Sequence, residues 1–465
     1  MDNSVIKRSA LVDDAYDDWS VVDTVTGGTQ SMREAGETFL PKHPKESQAN
    51  YTRRKNASFF VNFYNRTIKQ AAGKVFSKDI VVNNAPPQIE EFSDNVDRMG
   101  QDITQFGRSW FEDGINFGSS YIVVDFPKLS PEATLADIAA QNARPYFVQI
   151  PTTDVLDIHY EIVNNVSVMT MFRFKQRYIE SDPDTFTETI GIQVKVFRFD
   201  PEIGIVGFQV FRETQEKGDW YVYDVGTIST SRIPVVPFVA NFKYPGIGSP
   251  TLFDLAMINI QHWQSSSDQR NILTIARVPM LFTKKLVSYD ANGARKEIEI
   301  SPNTVIESDD ENGDAKWIEH KGEAIAAGRN DLKDLEQYMS VLGLELYVDR
   351  SGSMTATEKA INSAESNSIL RSIAVTFRDA VESAYELVCE FYDIEMSFDV
   401  VINTEFSIPF KDFQDFSQLF EMYKVGLLTG TELLIEAKRR NLLQYTFDEN
   451  RIIQQPIGDT NADQV

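Results

Sequence analysis

SPTLFDLAMINIQHWQSSSDQRNILTIA, residues 249–276, opens on Ser249-Pro250, carries Asp254 in its first turns and runs without a breaker to Ala276, ahead of Pro279. A proline at the start, an early acid and an uninterrupted run predict a helix. The next segments, VPMLFTKKL (278–286), KEIEI (296–300) and AKWIEH (315–320), alternate apolar and polar residues as strands do. NDLKDLEQYMSVLGLELY (330–347) then returns to helical spacing, with Leu332, Leu335, Met339, Leu342 and Leu346 on one stripe. DRSGSMT (349–355) breaks it, and a second long helical pattern runs from Ala356 to Tyr392, with Ile373, Phe377, Ala380, Ala384, Val388 and Phe391 along its seam. Two helices that leave and re-enter a body around a small β module read as a stalk.

Working outward, the chain is α+β. The first forty residues, acid-rich and interrupted by Gly27-Gly28, read as a loosely packed arm with one short helix near 31–38. A helical pattern follows from Asn50, with a strand at 80–82 and a boundary at Pro86-Pro87. Val96, Met99, Ile103, Phe106 and Trp110 predict another helix, ending near Gly114 and Gly118 ahead of the buried strand SSYIVVDFP. A helical insertion is expected around 131–141, and 144–241 is β-dominated. There Phe172, Arg173, Phe174, Lys175, Arg198 and Phe199 interleave charge with aromatics; an antiparallel sheet with one wet face competes with a stacking platform for single-stranded nucleic acid. A strand near 398–403 precedes a helical tail from Pro409 and a polar terminus.

Composition narrows the function. The 465 residues are 42% hydrophobic, which suits a folded protein of several domains. No apolar run reaches the roughly 18 residues of a membrane span. One cysteine, Cys389, excludes an internal disulfide framework and suits a reducing compartment. The net charge of −24, from 45 Lys and Arg against 69 Asp and Glu, does not suit a tight DNA binder, which neutralises phosphates with cations. Arg53, Arg54 and Lys55 form a basic triplet, read either as a solvated helix face or as a contact to a neighbouring subunit or DNA.

Chemical motifs are sparse. His43, His159, His262 and His320 lie far apart, so metal ligation lacks a pattern. His262, beside Trp263, reads as a helix-packing or subunit-contact residue. There is no Gly-x-x-x-x-Gly-Lys-Ser/Thr loop and no Gly-x-Ser-x-Gly elbow. No catalytic residue, metal or cofactor is expected. Asp309, Asp310, Glu311 and Asp314 form an acidic turn inside the β module.

The order helix, β module, helix, loop, long helix resembles the portal proteins of tailed bacteriophages, and the strings 249–271, 275–285, 144–158 and 114–127 are similar to one branch of that family. The resemblance implies an N-terminal arm and wing (1–247), first stem helix (248–276), clip (277–328), second stem helix (329–348) and tunnel loop (349–355). A wing helix and strand (356–408) and a helical crown with its tail (409–465) would follow. It implies a ring, twelve copies in that family, at a capsid vertex of the virion, assembled in the host cytoplasm. Genomic double-stranded DNA would pass through it without sequence recognition. The implied partners are the major capsid and scaffolding proteins, the large terminase subunit docked at the clip and acidic turn, and later a neck or tail adaptor; no membrane is implied. The implied channel contacts are Asp349, Arg350, Ser351, Gly352, Ser353, Met354 and Thr355, with Arg350 meeting phosphate. Two other classes stay open: a cytosolic hydrolase or transferase with a β-rich substrate domain, and a different neck or tail component.

Overall fold

The computed structural model describes residues 3–127, 141–214, 218–277, 280–284, 288–289, 295–296, 312–318, 322–344, 356–406, 420–424, 429–430 and 432–433. The chain forms two compact units, Met1–Glu405 and Phe406–Val465. In the second, residues 420–424 are helical. The first unit holds the remaining described elements.

Its N-terminal helices are α1 (Ala10–Thr26), α2 (Gly28–Ala35), α3 (Gln48–Ala57) and α4 (Phe63–Val75). The expected loose arm is therefore corrected. Val12, Ala15, Trp19, Val22 and Val25 fall on one face of α1 and are fully buried, while the intervening acids face outward. Asp14, for example, pairs with Lys243 at 2.9 Å. Ser47 and Asn62 cap α3 and α4, their side chains accepting from Asn50 N and Asn65 N.

Strand β1 (Val81–Asn83), α5 (Pro87–Ser93), α6 (Ile103–Phe117) and β2 (Ser119–Asp125) follow. Asp102 caps α6 and Gly118 ends it at φ +78°, so Val96 and Met99 precede the helix expected to contain them. The strands continue as β3 (Tyr146–Ile150), β4 (Val155–Val163), β5 (Val166–Asp182), β6 (Thr187–Asp200), β7 (Ile205–Glu213), β8 (Trp220–Ile228), β9 (Val235–Val239), β10 (Phe242–Tyr244) and β11 (Ile247–Gly248). Sheet β3-β2-β9 has the buried β2 at its centre, and β4 to β8 form a five-stranded antiparallel meander.

Phe172, Phe174 and Phe197 are buried in that meander, and Arg173 is tied to Asp157 and to the carbonyls of Ser4, Val5 and Lys7. Phe172, Arg173 and Phe174 are thus sheet core and internal ion pairing, closed to bases, while Arg198 is exposed and Phe199 half-buried.

The stalk region comprises α7 (Phe253–Ala276), β12 (Met280–Lys284), β13 (Ser288–Tyr289), β14 (Arg295–Lys296), β15 (Asp314–Ile318) and α8 (Glu323–Leu344). β12 pairs antiparallel with β15, and β13 with β14. Helix α8 begins well before the expected position near residue 329. The break is at Gly322, φ +77°, whereas Gly328 lies inside the helix, where the Gln269 side chain occupies the space a Cβ would need. Residues 345–348 lie outside the described residues.

Helix α9 (Ala356–Tyr392) matches the expected span, and β16 (Asp399–Val401) returns to pair with β1. Phe377 of α9 meets Trp110, Phe111 and Phe238 at centroid distances of 5.1, 5.2 and 4.9 Å, edge to face. Cys389 is buried on the same helix, and burial pushes its thiol up to about 11.

Where α7 leaves this body, two backbone segments nearly touch. A Cβ on Gly248 would collide with the backbone of Gly118, and one on Gly118 with Ser249. The crossing is fastened by Trp19 Nε1 donating to the Gly248 carbonyl (3.1 Å) and Gly248 N donating to Ser119 Oγ (2.9 Å). Gly248→Ala is expected to destabilise the chain by about 3 kcal/mol or more, because backbone rather than a flexible side chain must move. Urea unfolding measures this; a loss below ~1 kcal/mol contradicts the geometry.

Candidate functional site

The site of interest is the helix pair and its attachment. Three contacts set its direction. His262 Nε2 faces Glu336 Oε1 at 3.5 Å, Ser265 Oγ donates to Asp331 Oδ2 at 2.5 Å, and Gln269 Nε2 donates to the Ile325 carbonyl at 2.9 Å. As one number rises the other falls, so α7 and α8 lie antiparallel, side by side. Between them runs an open groove of about 390 Å³, lined by Gln264, Ser265, Gln269, Ile272, Asp331 and Leu335 among others. The pair is joined by polar and small residues; among the described residues of the predicted stripe, Leu332, Leu335 and Leu342 are half-buried and Met339 is fully buried.

The other flank of α7 is bonded to the N-terminal helices. Asn259 is fully buried: its Oδ1 accepts from Tyr64 N (3.1 Å) and its Nδ2 donates to the Val61 carbonyl (2.9 Å). Gln264 Nε2 donates to the Phe39 carbonyl (2.7 Å). Asp268 accepts from Arg54 (3.3 Å) and meets His43 (3.0 Å). Arg54 also binds Glu46 at 2.9 Å, and both side chains are buried. Its guanidinium beside Glu46 holds that carboxyl below its ordinary range. Of the basic triplet, Arg54 therefore faces inward as a strut to α7, while Arg53 stays exposed. No local sequence signal marks this strut, since Arg54 and Asp268 are 214 residues apart. The body flanks α7 as far as Asp268, so the stalk is supported along more than half its length.

His262 is buried beside Trp263 and sits edge-on to Phe63 at 5.5 Å. Helix packing is the role its surroundings give it. Asp314 opens β15 opposite Lys284 and is exposed, so it belongs to a strand rather than to the turn expected there. Asp309, Asp310, Glu311 and all of 349–355 lie outside the described residues. Among the described residues, no group of three His, Cys, Asp or Glu side chains is placed to hold a metal ion. Burial raises Asp113 to about 6, against a hydrogen bond from Gln149; the groove between α7 and α8 is not lined by it. Among the described residues, no helix is long and apolar enough to cross a membrane.

A family model described as a domain of unknown function, DUF4055, matches residues 251–392. The match starts just before α7 and ends on the last residue of α9. No curated protein matches the chain. Among solved structures, it is similar to a chain of the neck of an empty GTA particle computed with C6 symmetry, 9% identical over 81% of this chain and 88% of that one, TM-score 0.39. It is also similar to a chain in the virion of a native gene transfer agent particle, 10% identical, covering 86% and 97%, TM-score 0.41. A third similarity is to the neck of a native GTA particle computed with C12 symmetry, 10% identical, covering 80% and 88%, TM-score 0.39.

Burial holds the His262 imidazole below its ordinary value of 6.5, opposed by Glu336 and Asp331. The unfolded chain therefore binds the proton more readily, and stability should rise with pH up to about 6.5 and then level off. Urea midpoints from pH 5 to 8 measure this. His262→Gln should flatten the rise, and an unchanged slope contradicts the assignment.

Proposed function

We propose that this chain is the portal subunit of a tailed phage or phage-like particle. Copies close into a ring, twelve by analogy with that family, at one capsid vertex. The observation that carries the reading is the pair α7 and α8: antiparallel, bonded side to side, capped by paired short strands, and followed by the long α9 that returns to the body. In this reading α7 and α8 are the stem, β12 to β15 the clip, and 349–355 the loop that reaches the channel.

The function then rests on shape and charge. The described side chains of α7 and α8 include Asp254, Asp268, Glu323, Asp331, Asp334 and Glu336 against Arg270, Arg329 and Lys333. Each copy adds a formal −24, and a ring concentrates that field around one axis. Phosphate then meets no deep well, so duplex DNA slides without sequence recognition. A conduit of this kind needs no catalytic group, metal or cofactor of its own. The terminase large subunit, and afterwards the neck or tail adaptor, would dock at the clip, and the capsid and scaffolding proteins would surround the wing.

Cryo-electron microscopy of the purified full-length chain is the test. The expected result is closed rings with an open axial channel, residues 349–355 at its narrowest level and Arg350 toward the axis. A species that stays monomeric at high concentration, or rings with α7 and α8 on the outer rim, would overturn the reading.

A further inference from the structure

Strands β5 and β6 outrun their neighbours. β4 pairs with β5 only up to Phe174, and β7 with β6 only from Gln193. Among the described residues, 176–192 therefore form a two-stranded arm with both edges unpaired. Such a hairpin is marginal alone and invites a partner. Its two faces differ. On one, Tyr178 lies over Gly191, leaving no room for a Cβ, and the Arg212 guanidinium stacks on Tyr178 at 3.9 Å. On the other, Ile179 and Ile190 stand directly opposite each other, with Ile192 beside them, 63%, 69% and 46% exposed. The arm is acidic as a whole: residues 176–192 hold Glu180, Asp182, Asp184 and Glu188 against one cation, Arg177. Glu188 and Arg177 share the isoleucine face, while Glu180 and Asp182 lie on the Tyr178 face.

A surface of opposite character lies elsewhere on the chain. Residues 41–78 contain nine Lys and Arg and a single acid, Glu46, in a molecule of formal charge −24. Arg54 is spent on the strut to α7, but Arg53, Arg66 and Lys69 are exposed. Between α3 and α4, Phe59 and Val61 are also exposed, 54% and 40%. Large apolar side chains set among cations suit an apolar patch on an arm of net negative charge, which is what β5 and β6 offer; a phosphate backbone would leave them unused.

We propose that the β5–β6 arm of one subunit docks, isoleucine face down, on the basic α3–α4 surface of a neighbouring copy of this chain. Both surfaces are exposed within one molecule, so each needs a second copy to be covered. Two different patches on one chain make a head-to-tail contact, which closes into a ring when the rotation allows. The inference rests on the proposed ring, and it names the contact that builds it.

Sedimentation velocity on the full chain separates the outcomes. Ile179→Ser/Ile190→Ser and Phe59→Ser/Val61→Ser should each weaken assembly by about tenfold or more while melting as the wild type does. Mixed one to one, the two variants should form a two-chain complex and stop there, because each retains the patch the other lacks. Should the arm variant fail to fold, Asp184→Lys/Glu188→Lys, at exposed positions, replaces it with the same expected weakening. Wild type that assembles alongside variants that assemble equally well overturns the arm contact and leaves the ring intact. Wild type that never assembles removes the ring itself. If Phe59→Ser/Val61→Ser assembles normally but loses binding to a short DNA duplex, the basic stretch belongs to nucleic acid and the docking proposal is wrong.

Discussion

The direction in which α7 leaves the body depends on one close approach, the crossing of Gly118 and Gly248. Gly118 ends α6 in a left-handed conformation, and its carbonyl receives the amides of Ala240 and Asn241 at 2.9 and 3.0 Å. Gly248 passes so near that neither position tolerates a Cβ. The buried indole of Trp19, on α1, donates to the Gly248 carbonyl. Because the crossing sits immediately before Ser249-Pro250, it fixes where and in which direction α7 begins. A long helix magnifies any error at its root, and a side-chain-free, multiply bonded root limits that error, as the proposed stem would require.

From that root α7 acts as a spine shared by two partners. Asn259, Gln264 and Asp268 bond it to the N-terminal helices, and His262, Ser265 and Gln269 bond it to α8. The contacts are mostly polar and directional. Directional bonds set register between two helices, which non-directional apolar contact does less sharply. The half-buried leucines of α8 leave apolar surface on that helix beyond what α7 covers. That is what a stem helix needs if further copies stand beside it, in keeping with the proposed ring.

The long elements were legible because nothing interrupts them: α7 lacks breakers for 24 residues and α9 for 37. Helix α1 was hidden by its own outer face. Asp13, Asp14, Asp17 and Asp18 read as turns, although Val12, Ala15, Trp19, Val22 and Val25 keep helical spacing between them. The start of α8 was misplaced by Gly328, which lies inside the helix beside the Gln269 side chain of α7. Arg54 looked like part of a solvated triplet because its partners, Glu46 and Asp268, cannot be found by spacing. The loop at 349–355 was legible only as a break between two helices.

In the proposed portal, a rigid root, a register-fixing spine and an acidic surface would work together by geometry. The central claim is that α7 and α8 lie beside each other, antiparallel, with Ser265 facing Asp331. Ser265→Cys/Asp331→Cys in a Cys389→Ser background tests this most directly, by mild oxidation followed by peptide mapping. The account predicts a disulfide within each chain, formed with the fold intact. A pair that stays reduced, or that links only different chains, would contradict it.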